Sequence, residues 1–294
     1  MKTAEERGRI LVQVLHQFGN LGSRGLAGWS VIIGSVTVAV IVIMTLIAPW
    51  ISPHNPIAIN VGPILQAPNS EFPLGTNHLG QDMLSRVLWG GTMMLQVALF
   101  SVLICIVVGV PLGLLASYAG GASDRVSSLV MDSIYAFPGL VLAIAIAAML
   151  GRGVLNMSLA ISVVYIPSYY RIVRSQVLTI KELPYVEAAR ALGARSRVVL
   201  LRYVLPNVVP SVVSVATINF ADAILTAAGL TFVGLGLSVA VPDWGWDLTY
   251  GRQLLPSGGW WVITFPGIMI VLLALGFTLI GEGLSELWSP RLEQ

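Results

Sequence analysis

Residues 29–51, WSVIIGSVTVAVIVIMTLIAPWI, contain no charged side chain. About 20 such residues in a helix cross the roughly 30 Å hydrocarbon layer of a bilayer. Five further stretches read the same way: Thr92–Tyr118, Val126–Leu150, Leu155–Ile172, Asn207–Gly236 and Trp260–Gly281. The fourth is broken in character by Pro167, Ser168, Tyr169 and Tyr170, and the fifth carries Asp222. The chain is 56% hydrophobic and only 10% charged over 294 residues, too little charge to cover a soluble domain. The expected fold class is therefore an all-α integral membrane protein with six transmembrane helices.

Positive charge orients the spans. With the N-terminus cytoplasmic, only Arg86, Arg152 and Arg252 of the 16 Lys and Arg residues fall outside. Both termini are then cytoplasmic. Two connecting segments are long: an outer one over about 52–90 and an inner one over about 173–206. Glu5 and Glu6 interrupt the basic N-terminus, which does not read as a signal peptide. Ile10, Leu11, Val14, Leu15 and Phe18 fit an amphipathic helix on the membrane surface, and a disordered lead-in fits equally.

Several chemistries are disfavoured. A P-loop needs Gly-Lys-Ser/Thr, and the two lysines, Lys2 and Lys181, lie in Met-Lys-Thr and Ile-Lys-Glu. His16, His54 and His78 all fall outside the spans, which argues against a Ser–His or metal hydrolase within the membrane. No metal site or catalytic residue is expected, and a net charge of +2 gives no case for nucleic acid. Cys105 is one apolar-run cysteine with no disulfide partner. Two acids do stand in or near spans, Asp132 and Asp222. Charge in lipid is costly, so both are candidates for a translocation path or for polar contact between helices.

The inner segment contains PYVEAARALG, residues 184–193. Pro184 suits a first helical turn and Gly193 suits the left-handed position just past a helix end. A second helix is expected over about 195–204, with Pro206 and Pro210 bracketing the next insertion into the membrane. Ala188 and Ala189 allow close approach of a partner, and Glu187 can accept from a partner's Arg or from Arg190. These features fit a rigid docking knob, and equally an ordinary interfacial loop.

The spacing goes further. Glu187-Ala188-Ala189, then Gly193, then Leu205-Pro206 resembles the EAA loop of ABC importer permeases, with Tyr203 where an isoleucine is usual. LGTNHLGQDMLSR at 74–86 resembles a segment of the dipeptide/oligopeptide/nickel group, as do TFVGLG at 231–236, Phe265-Pro266-Gly267 and Ser289-Pro290-Arg291-Leu292. The likeness covers nearly the entire chain and points to the C-type subunit of a permease pair.

The resemblance implies a type I ABC importer-like core in a bacterial or archaeal inner membrane. It implies a second homologous permease, two ABC ATPases and an extracytoplasmic substrate-binding protein as partners, beside membrane lipid. The chain itself would bind no cofactor; ATP and Mg would belong to the ATPases. Glu187, Ala188, Ala189, Arg190, Gly193, Leu205 and Pro206 would couple ATP hydrolysis to transport. The expected organisation is an N-terminal region over 1–90, a five-helix core over 91–286 and a tail over 287–294. The implied cargo is a di- or oligopeptide, with nickel or another small solute as the alternative. A self-contained secondary transporter, the different-class alternative, would favour internal inverted repeats, and no second EAA-type loop is seen. Asn77 and Gln81 replace the group's usual Asp and Arg, and Ala227 replaces a frequent Glu. Asp82 and Arg86, four residues apart, can still pair and are candidates for contact with the binding protein.

Overall fold

The computed structural model describes residues 25–236 and 241–288. The lead-in over 5–18 and the Ser289–Leu292 motif lie outside the described residues. Among the described residues, nine α-helices follow one another: α1 (Leu26–Ile51), α2 (Met83–Ala119), α3 (Gly121–Tyr135), α4 (Gly139–Leu150), α5 (Val154–Ile180), α6 (Pro184–Ala191), α7 (Ser196–Phe232), α8 (Trp244–Leu254) and α9 (Trp261–Trp288). Among the described residues there is no strand, only one isolated bridge between Thr76 and Asp82.

Four helices, α1, α2, α7 and α9, are long and apolar enough to cross a membrane, and α3 with α4 forms a fifth candidate that is bent by 90°. The single straight span expected over Val126–Leu150 is thus corrected. Pro138 has no N–H to donate and disfavours helical backbone at Phe137, so the helix stops at Tyr135 and restarts at Gly139. The expected fourth span lies within α5, which is 27 residues long but carries Arg171 and Arg174 in its second half.

A second correction concerns the residues after Gly193. The separate helix expected at 195–204 is instead the first part of α7. Residues Leu200–Val204 take a π-helical turn, in which Leu205 N–H donates to the Leu200 carbonyl, and the helix runs on through Pro206. Pro206, which has no N–H to donate, falls just after this wider turn, and the helix continues through Pro210 in regular α geometry. Asn207 Nδ2 adds a 2.6 Å bond to the Tyr203 carbonyl at this junction.

The core is a cluster shared by α1, α2, α4, α5, α7 and α9, with Ile41, Met94, Ala143, Ile161, Ile224 and Leu273 buried in it. Close packing of α2 on α5 depends on small residues. A Cβ at Gly109 would stand 2.8 Å from Tyr169 Cβ, and one at Gly113 2.8 Å from Val173 Cβ. The opposite faces stay apolar and uncovered, as on α1 at Val36, Val40 and Ile43, where lipid replaces a protein core.

Candidate functional site

At one end of the bundle, α6 stands apart from the long helices yet is firmly seated. Val186 is fully buried in a cluster with Val173, Val177, Val199, Val204 and Val208, contributed by α5 and α7. Gly193 adopts φ +85. Gly193 N–H donates to the Arg190 carbonyl and Ala194 N–H to the Ala189 carbonyl, both near 3.0 Å, which closes the helix in a Schellman motif. Glu187, Ala188 and Arg190 face outward while Ala189 faces in, and Leu192 is 89% exposed at the tip. Of the two partners open to Glu187, Arg190 is not the one it takes within this chain; the Arg190 guanidinium lies 5.2 Å from the Tyr118 ring centre. Leu205 and Pro206 sit on the π junction, so the motif ends where α7 begins its long run.

The other end is built from the 52–82 segment and α8. Asp82 is the N-cap of α2: its carboxylate accepts from Leu84 N–H, Ser85 N–H and Ser85 Oγ, the last at 2.6 Å. This cap starts α2 nine residues before the expected Thr92. Arg86 does not pair with Asp82. Its Nε donates to Asp247 Oδ1 at 2.8 Å, joining α2 to α8, and its NH1 donates to Gln81 Oε1 and the Pro56 carbonyl. Asp82 and Arg86 are each only 1% exposed, so neither side chain offers a surface for a protein partner. Asn77 and Gln81 form a neutral substitute for a charged pair, with Asn77 Nδ2 donating to Gln81 Oε1 at 2.8 Å. Burial pushes the Asp243 carboxyl up to about 6, against donation from Gly245 N–H. Burial and the nearby Arg86 charge both hold His78 below the usual imidazole range, where it stacks on Tyr250.

Between the two ends, α5 and α7 enclose a groove. Its lining includes Ser168, Arg171 and Ser175 from α5, Asn219 from α7 and Tyr135 from α3. Arg171 NH2 donates to Asp132 Oδ1 at 2.7 Å, which gives Asp132 an exposed partner across helices. Asp222 is half-buried, and its backbone carbonyl lies 3.4 Å from the Tyr165 hydroxyl, which also hydrogen-bonds with Thr226. Ala227 is fully buried in the core and faces away from solvent. Asp247, Arg171 and Asn219 were not singled out from the sequence. Two acids flanking Trp244–Trp246 and a cation amid apolar residues were the available signals.

Residues 109–294 match the model of the binding-protein-dependent transport system inner membrane component, and residues 29–68 match the N-terminal TM domain of oligopeptide transport permease C. The chain belongs to this permease family. A dipeptide transport system permease protein of Alkalihalophilus pseudofirmus is 36% identical over 262 residues, covering 89% of this chain and 86% of that one. A glutathione transport system permease protein of Pectobacterium atrosepticum is 38% identical over 231 residues, covering 78% and 75%. In fold, the permease is similar to a chain of the inward-facing MetNI methionine ABC transporter, with a TM-score of 0.55 at 20% identity, covering 70% of this chain and 95% of that chain. It is an inner-membrane transport subunit and not an enzyme.

Proposed function

We propose that this permease forms half of the translocation pore of an ATP-driven importer of peptides and receives its driving force through α6. The observation that carries the reading is the seating of α6: a helix of eight residues, locked by Val186 and a Schellman turn, with Glu187, Ala188 and Arg190 turned outward. Such a lever transmits displacement instead of absorbing it, because its base shares a packed cluster with α5 and α7. On this reading α6 lies on the cytoplasmic side with both termini, the 52–82 segment and α8 lie outside, and α5 completes six spans. The pore core is the 91–286 region, following the N-terminal 1–90 region and preceding the 287–294 tail. A homologous permease supplies the other half of the pore, two ATPases bind ATP and Mg, and a binding protein delivers cargo. Peptide cargo is supported by relatives named for dipeptide and D,D-dipeptide transport.

The test is reconstitution of the complex in proteoliposomes with its binding protein. ATP-dependent dipeptide uptake and co-purification of both ATPases are expected for the wild type. Glu187→Arg should insert normally, lose ATPase co-purification and reduce uptake to background. Uptake by the chain alone, driven by an ion gradient, would instead establish a secondary transporter.

A further inference from the structure

Helix α5 carries Arg171 and Arg174, and the two guanidinium groups are held differently. Arg174 grips Asp124 with Nε and NH2, each at 2.7 Å from a separate carboxylate oxygen. Arg171 touches Asp132 through a single 2.7 Å contact, rests 4.0 Å from the Tyr135 ring centre, and remains 44% exposed. A guanidinium presents five donors in a planar fork matched to both oxygens of a carboxylate. Arg171 thus engages Asp132 with one N–H and leaves most of its fork open.

The fork opens on the groove of about 390 Å³ between α5 and α7, whose lining includes Ser168 and Asn219. Asn219 is 6% exposed, and its side-chain amide lies against the buried hydroxyl of Tyr169 at the groove wall. A second cavity of about 410 Å³ shares Ile172, Val215 and Ile218 with the first and adds the hydroxyls of Ser211 and Ser214. Such a lining is out of place against lipid and suits a water-filled path. Ser211, Val215 and Ile218 fall on one stripe of α7 at helical spacing, so the two cavities follow one face of that helix.

We propose that Arg171, with Ser168 and Asn219, forms a carboxylate-binding rung that takes the C-terminal carboxylate of a peptide in transit in exchange for Asp132. The ligand assignment rests on the peptide-import reading above. The exchange keeps Arg171 neutralised at every stage, and the displaced Asp132 carboxylate, 61% exposed, passes to water.

Local charge at the rung can be read without transport. Ser175→Cys in a Cys105→Ala, Asp132→Asn background, which removes the carboxylate that neutralises Arg171, is assembled with the partner subunits in nucleotide-free nanodiscs and treated with methanethiosulfonates of like size bearing a sulfonate or a trimethylammonium group. Intact mass of this chain reports labelling. The sulfonate reagent should react about tenfold faster, and Arg171→Gln should bring the two rates together. Equal rates in the parent, or reaction with neither reagent, would overturn the rung. In proteoliposomes, Arg171→Gln should lower L-alanyl-L-alanine uptake about tenfold, with Arg171→Lys in between. Uptake unchanged in Arg171→Gln overturns the rung and leaves peptide import standing. Charge preference in a complex that carries no dipeptide overturns peptide import and leaves an anion rung.

Discussion

Gly193 shows how much can rest on one backbone angle. At φ +85 nothing lies within 4 Å of where a Cβ would be, so a side chain there meets conformational strain without a steric clash. A left-handed residue other than glycine is disfavoured by about 1–2 kcal/mol, and Asn is among the better tolerated. Gly193→Val should therefore loosen α6 and abolish coupled uptake with normal insertion, whereas Gly193→Asn should keep most uptake. Comparable uptake for the two would show that the angle is not what matters. Asp243 gives a pH prediction. Its carboxyl is raised from 3.8 to about 6, so the folded state holds a proton that the unfolded state has released. Its contribution to stability is largest below about pH 4 and is lost as pH rises to about 6. The melting-temperature difference between wild type and Asp243→Asn should shift against the wild type across that window; a pH-independent difference would refute the shift.

Helix ends and helix breaks account for what could and could not be read in advance. Pro184 and Gly193 bracket α6 as their chemistry requires, because each acts through its own backbone. The apolar runs likewise marked α1, α2, α7 and α9, since length and hydropathy alone decide a span. The break at Pro138 was missed because hydropathy runs on across it, and a proline inside a membrane helix does not by itself specify a bend. The start of α2 was placed too late because an Asp82 cap, not apolarity, sets it. The Arg86 partner was missed for a different reason. Spacing proposed Asp82, four residues away, but a cap consumes that carboxylate, and the guanidinium turns to Asp247, 161 positions along the chain. Removing one member of a buried pair costs about 3–5 kcal/mol, because the other charge is left stranded. Asp247→Asn should thus lower the melting temperature sharply in detergent, while Arg86→Met with Asp247→Leu recovers much of the loss. Equal melting for Asp247→Asn and wild type would mean that the pair does not hold α2 to α8.

The bundle joins three regions of different character: a polar, tightly hydrogen-bonded end, an apolar body with a polar groove, and a lever end seated on a valine cluster. Family and membrane residence were readable because both are written in composition and in a spaced motif. The groove was not, since its walls come from α5 and α7, segments Val154–Ile180 and Ser196–Phe232, whose pairing only folding reveals. The π turn at Leu200–Val204 has one more effect. It packs an extra residue into a turn and so absorbs that residue without changing the rotational phase between everything before it and the rest of α7. Deleting one residue there would restore a regular ladder with the phase nearly kept, whereas deleting one in the regular part that follows, with no wide turn to absorb the change, would swing the preceding segment by about 100° around the helix axis. The lever would survive and still move, but it would present a different side to whatever pushes it.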